Sequence, residues 1–437
     1  MIINRRDVLK LLLLSSISPY LYSCAKNPVT GRSELSFISE EDEIKLDKEN
    51  SKFQFSNDYG AIQDKEINNY INSVGQSLVK VSHRPYMPYS FNVVNAVYIN
   101  AYAFPAGSIA ITRGMIANLE SEAELAATLG HEVGHVSARH TARVMSKGVL
   151  ISGVLTGLLI YLSVEDNPFI PLASTAAGIG SSLILAKYSR DDERQADRLG
   201  MEYMVKALYN PDGMIKLMDL LKNLQKSQPS MIEVMFSSHP MSEERYENAK
   251  KLKYEKYSYA SNYKIYKERY MDNTYNIRKI KNAIEELQNA MTLIAKNKFI
   301  EAEDFINKAL TTIPDDYTAL LLMAKCKIYR KQYVEAYKYA LDAKNVYSSE
   351  AQAYYISGLI CTKLKKFEES LSNFDTYNKL LPGNPEVLFY KGYCYDNLGN
   401  IPEAIEYYTA YLNKVDTGEN ADYAKKRLYL LRLKRIF

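Results

Sequence analysis

The chain has 437 residues, 47% apolar and 24% charged, which places it among globular proteins with material for more than one core and excludes global disorder. Lys and Arg total 55 against 51 Asp and Glu, a net charge of +4 that does not single out nucleic acid as a partner, and a mean hydropathy of −0.29 excludes a polytopic membrane protein. With only 5 histidines, any two at metal-ligand spacing carry weight.

Residues 1–23 read as an export signal, with Arg5 and Arg6 ahead of a short apolar run that is too brief to span a bilayer. The paired arginines resemble a twin-arginine signal, and Leu21-Tyr22-Ser23-Cys24 resembles a lipoprotein box. Cys24 is therefore expected to carry a lipid, and the mature chain to be a membrane-anchored periplasmic protein. Residues 27–39 form a polar connector, and 40–82 have helical periodicity. Residues 89–95 and 97–103 alternate as strands do, and 108–112 is a third such run after the Pro105-Ala106-Gly107 turn, so a small sheet is expected. Ser121 with Glu124 three residues on is a capping-box signature that opens a helix carrying His131 and His135. Residues 148–163 and 172–187 are apolar but shorter than the roughly 20 residues a membrane span needs, and read as a buried or lid-forming helical pair, with a membrane-touching hairpin as the alternative. Residues 246–282, dense in Tyr, Lys and Arg without an apolar period, read as a domain connector with a solvated basic face.

From 283 onward the sequence repeats every 34 residues. Small residues recur at Ala290, Ala324, Gly358 and Gly392 and again at Ala302, Ala336, Ser370 and Ala404, with Phe299, Tyr333, Phe367 and Ile401 three residues before the second set. This is the register of tetratricopeptide repeats, paired helices whose small positions permit close packing. Four repeats and a terminal capping helix fill 283–437, and Cys326, Cys361 and Cys394 fall on first helices, where a buried small thiol is expected. The fold class is thus mainly α with a small β-sheet, a first domain over 24–245 that carries His131 and His135, followed by an α-solenoid.

His131-Glu132-Val133-Gly134-His135 is H-E-x-x-H. On a helix the four-residue step brings both imidazoles to one face and sets Glu132 beside the ion they would hold, one Zn2+ per chain. A third protein ligand is needed, and Glu193 and Asp197, four apart in Ser189-Arg190-x-x-Glu193-x-Gln195-Ala196-Asp197, are candidates. A helix continuing past His135 rotates His140 off the metal face, so a surface or structural role is expected for it. His83 reads as a loop histidine, whereas His239, in Ser237-Ser238-His239-Pro240, is a further candidate.

Together these motifs, with Arg245 five residues beyond Pro240, resemble the zinc metallopeptidase family that includes the HtpX, Oma and prenyl-protein (CAAX) proteases. The segment from Asn100-Ala101-Tyr102 to Thr112-Arg113-Gly114 resembles its sheet-edge segment, and Asn27-Pro28-Val29-Thr30-Gly31-Arg32 resembles its exported lipoprotein members. The resemblance implies His131, His135 and Glu193 as ligands, Glu132 as catalytic base, Asp197 as a catalytic or supporting acid, and His239 as a residue that can occupy a fourth zinc position and hold the enzyme shut, with a catalytic role in stabilising the oxyanion as the alternative. Gln195 stands where many members have Glu. It further implies an exported endopeptidase for misfolded or misassembled envelope proteins, whose repeats bind clients or outer-membrane assembly machinery on their concave face. A chaperone or scaffold with a latent zinc site is the rival reading.

Overall fold

The computed structural model describes residues 24–31, 33–35, 38–144, 188–227 and 229–434. The export signal and both apolar stretches lie outside the described residues. Among the described residues no helix is long and apolar enough to cross a membrane.

The expected connector after Cys24 is a two-stranded hairpin, β1 (Cys24–Lys26) against β2 (Ser33–Leu35). Its turn is fixed by the Asn27 side chain, whose Oδ1 accepts from the amides of Val29 and Thr30. The single helix expected over 40–82 is two, α1 (Glu40–Asn57) and α2 (Lys65–Val79). The break falls at Tyr59 and Gly60, which take φ of 66° and 76°, a left-handed turn that apolar periodicity does not register.

The sheet consists of β3 (Ser90–Val94), β4 (Ala101–Ala103) and β5 (Ser108–Thr112) in the order β3-β5-β4. β3 runs parallel to β5 with Ser90 opposite Ser108, while β4 is antiparallel to it with Ala101 opposite Ile111. This leaves β4 at an edge, packed beside α4 (Glu122–Ser137), the helix of the H-E-x-x-H motif. Asp58 ties the edge down, accepting from Tyr98 Oη at 2.8 Å and Tyr102 Oη at 2.5 Å. The short helix α3 (Arg113–Ile116) joins β5 to α4. Ser121 caps α4 through the Glu124 amide, and the Glu124 carboxylate accepts from the Glu120 amide and the Ser121 hydroxyl.

After α5 (Arg190–Lys206) come α6 (Asp212–Ser227), α7 (Pro229–Ser238) and α8 (Glu243–Lys256). Part of the Tyr-rich segment expected as a solvated connector packs at the start of α4, through Ile265, α9 (Lys267–Asn273) and α10 (Tyr275–Arg278), whose Arg278 donates to Leu119 O. Ile265 O accepts from the Ala123 amide, Tyr270 Oη donates to Ile116 O, and Arg269 pairs with the buried Glu122, which also accepts from Tyr70 and Tyr209. Of its aromatics, Tyr270 is buried in this contact, whereas Tyr254, Tyr259 and Tyr275 are exposed.

The repeats are the pairs α11 (Lys281–Ala295) and α12 (Phe299–Thr312), α13 (Tyr317–Tyr329) and α14 (Tyr333–Val346), α15 (Gln352–Lys363) and α16 (Phe367–Leu380), and α17 (Pro385–Asn397) and α18 (Ile401–Leu412), closed by α19 (Glu419–Lys434). A Cβ at Gly358 would lie 2.7 Å from the Phe374 ring and one at Gly392 2.8 Å from Tyr408, so the small positions are where paired helices approach closely. Cys326, Cys361 and Cys394 are buried free thiols.

The first helices of successive repeats grip the other domain. Gln288 of α11, Thr318 of α13 and Gln352 of α15 donate to the main-chain carbonyls of Val97, Asn95 and Ser56 at 2.6, 3.0 and 3.0 Å, and Lys325 of α13 sits over the Tyr59 ring. Over three repeats these first helices are thus in contact with the domain that carries the H-E-x-x-H motif.

Candidate metal centre

Two helices build the centre, and glycine lets them meet. A Cβ at Gly130 or Gly134 of α4 would lie 3.1 or 3.0 Å from the carbonyl oxygen of Gly200 or Ala196 on α5, and one at Gly200 would lie 2.9 Å from the His131 amide nitrogen. Ser189 caps α5 in a capping box with Asp192, which sets Glu193 in its first turn, buried and facing the α4 histidines.

One ligand atom each from His131, His135, Glu193 and His239 lies within 4.8 Å of all the others. His131 Nε2 is 3.0 Å from His135 Nε2 and 3.3 Å from His239 Nδ1, while Glu193 Oε1 is 3.3 Å from His135 Nε2 and 3.0 Å from His239 Nδ1. A tetrahedron of bonds of roughly 2.0–2.1 Å has edges of about 3.3 Å, close to these separations. The chemistry of the donors agrees. His131 Nδ1 faces Asp197 Oδ1 at 2.9 Å and carries that ring's proton there, so the Nε2 lone pairs of His131 and His135 converge, an arrangement that a shared cation stabilises. Glu132 Oε2 is buried without a hydrogen-bond partner beside them. The residues present therefore fit a zinc ion.

Glu193 Oε2 also meets Arg245 Nη1 at 2.6 Å, and Arg245 forks onto Asp197 through Nε and Nη2 at 2.8 and 2.7 Å. Burial alone would raise the Glu193 carboxyl, but the charges of His239 and Arg245 outweigh it and hold it well below the usual carboxylate range. Glu132 goes the other way: burial raises it, and His239 and His131 offset this only in part. Asp197 stands behind His131, the place of an orienting acid.

His239 arrives from the end of α7, where its amide donates to Met235 O at 2.7 Å, so it sits at a helix terminus rather than in a free loop. Its Nε2 lies 3.8 Å from Glu132 Oε1. His83 stays in its loop with Nδ1 2.7 Å from Tyr203 Oη. Sequence reasoning missed two neighbours. Tyr188 stacks on His135 with ring centroids 3.9 Å apart, and His140, expected to point away, is fully buried with Nδ1 3.0 Å from His135 Nδ1. Helix α4 ends at Ser137, and Arg139 takes φ of 59°, which turns the chain and swings His140 back behind the site.

The fold and this centre define a metallopeptidase domain of the H-E-x-x-H type joined to helical repeats. Residues 65–253 match the model of peptidase family M48, 295–377 match one described as anaphase-promoting complex, cyclosome, subunit 3, and 385–413 match a tetratricopeptide repeat. The first of these matches spans the residues that build the centre, and the others lie on the helix pairs that follow it. It is 29% identical over 194 residues to the beta-barrel assembly-enhancing protease of Yersinia pestis, covering 43% of this chain and 39% of that one. It is 32% identical over 130 residues to the mitochondrial metalloendopeptidase OMA1 of Arabidopsis thaliana (30% of this chain, 25% of that one), and 28% identical over 159 residues to the metalloprotease YcaL of Escherichia coli (36% and 59%). The likeness spans less than two thirds of the length of each relative.

Proposed function

We propose that the chain is an exported zinc-dependent endopeptidase for misfolded or misassembled envelope proteins. The observation that carries this reading is the convergence of His131, His135, Glu193 and His239 with Glu132 beside them. In this reading His131, His135 and Glu193 hold the ion, and zinc supplies a Lewis acid and an activated water. Glu132, whose raised pKa brings it nearer the working pH, takes a proton and returns it to the leaving amine. Asp197 keeps the proton of His131 on Nδ1, and Arg245 balances the charge of both carboxylates. An extended substrate would add to the edge at β4, where main-chain hydrogen bonds give affinity with little demand on sequence.

Export rests on the signal pattern of residues 1–23, and anchoring on lipidation of Cys24, tested by whether Cys24→Ser releases the protein from membranes. The Yersinia pestis relative's name places such a peptidase in barrel assembly, which supports client or assembly-machinery binding through the repeats. The position of His239 favours a second reading, a chaperone or scaffold whose zinc site is latent. Zinc analysis of the purified chain with a casein-cleavage assay, before and after chelation, separates them: the peptidase reading requires bound zinc and cleavage that chelation removes and zinc restores.

A further inference from the structure

The two helical histidines are held from behind by unlike partners. His131 gives its Nδ1 proton to a carboxylate, Asp197. His135 has none: its Nδ1 faces His140 Nδ1 at 3.0 Å, and His140 Nε2 lies 3.0 Å from Gln195 Oε1 and 3.5 Å from Asp192 Oδ1.

The protons of this chain can be assigned. His135 Nε2 points into the ligand cluster and needs its lone pair there, so the neutral ring carries its proton on Nδ1. A contact between two Nδ1 atoms holds one proton, so His140 accepts it and keeps its own on Nε2. That proton faces the amide oxygen of Gln195. The Asp192 carboxylate is farther off and already taken by Arg143 and by the capping contact to the Ser189 amide.

We propose that His140 and Gln195 are positioning residues, an uncharged relay that fixes the tautomer and ring plane of His135 for zinc. The inference rests on the zinc reading above. Tyr188 holds the same ring by its face, so His135 is located by a stack and one directed hydrogen bond. A neutral partner polarises the ring less than a carboxylate does, which makes His135 the weaker of the two imidazole donors.

The test uses the full chain and zinc alone, with affinity read by competition against a chromogenic chelator. His140→Ala is expected to weaken zinc binding by about 10- to 100-fold, the range for lost outer partners of a ligand. His140→Asn, whose Oδ1 can accept the His135 proton, recovers most of this, and Gln195→Leu falls between. Nitrogen NMR of ring-labelled histidine in the zinc-loaded chain should show His140 neutral with its proton on Nε2. Unchanged affinity in both His140→Ala and Gln195→Leu, or a doubly protonated His140, overturns the relay. If His140→Ala does not fold, Gln195→Leu, at a partly exposed position, decides alone. A wild type that takes up no zinc defeats the proposed function and the relay together, a result distinct from a zinc-loaded wild type whose variants bind equally well.

Discussion

Arg113, at the end of the sheet, and Asp316, at the start of the second repeat, form a buried two-pronged ion pair, Nη1 to Oδ2 at 2.5 Å and Nη2 to Oδ1 at 3.0 Å. Asp316 also caps α13 through the Ala319 amide. Burial would raise the Asp316 carboxyl, but Arg113 overrides it and holds the pKa low. The pair therefore contributes fully above the unfolded pKa near 3.9 and is lost as pH falls through the lower folded value. Removing one partner leaves a buried charge alone, so Arg113→Met should cost about 3–5 kcal/mol in chemical denaturation. Arg113→Met with Asp316→Ser, which keeps a capping oxygen, should recover most of it. Equal stability of Arg113→Met and wild type would show that the pair does not hold the domains.

Glu132→Gln should keep zinc and fold while reducing casein cleavage by on the order of 10² to 10⁴, because it removes a proton acceptor that is not among the clustered ligand atoms. The zinc content and turnover of the purified variant check it, and cleavage at the wild-type rate would rule out Glu132 as the base.

His239→Ala separates two roles for that ring. If His239 fills the fourth position and keeps the peptidase shut, the variant should show raised basal proteolysis and self-cleavage with zinc retained by the other three ligands. If it stabilises a developing oxyanion, activity should fall by about 10²-fold or more. An unchanged rate would defeat both.

Asp58 gives stability a measurable pH dependence. It is fully buried, and burial pushes its carboxyl up to about 6, a rise that Tyr102, Gln54 and Tyr98 offset only in part. The folded state then holds more protons than the unfolded one between pH about 4 and 6, so stability rises as pH falls through that window and the full cost, about 3 kcal/mol, is present above it. Asp58→Asn should melt higher than wild type at pH 7 and lose most of this advantage by pH about 4.5. Lys325, over the Tyr59 ring with its pKa lowered by burial to about 8, stays charged throughout that comparison.

Periodicity and spacing determined a good deal. The 34-residue register alone located four helix pairs and their close contacts, because a small residue every repeat is needed wherever two helices touch. H-E-x-x-H placed two imidazoles on one face by helix geometry alone. What spacing could not convey was any effect of chain reversal or of contact between distant segments. The left-handed residues Tyr59 and Arg139 cut helices that hydrophobic pattern would have continued, and the second of these brought His140 behind His135. Likewise, the sequence alone offered both Glu193 and Asp197 as third ligands. The approach of α5 to α4 at Gly130, Gly134 and Gly200 decided between their places, setting Glu193 among the ligand atoms and Asp197 on the far side of His131. Polar residues such as Gln288, Thr318 and Gln352 stand on the first helices of the repeats. Only the tertiary structure decided that their partners are the carbonyls of residues 56, 95 and 97, since a main-chain acceptor leaves no mark in the sequence that supplies it.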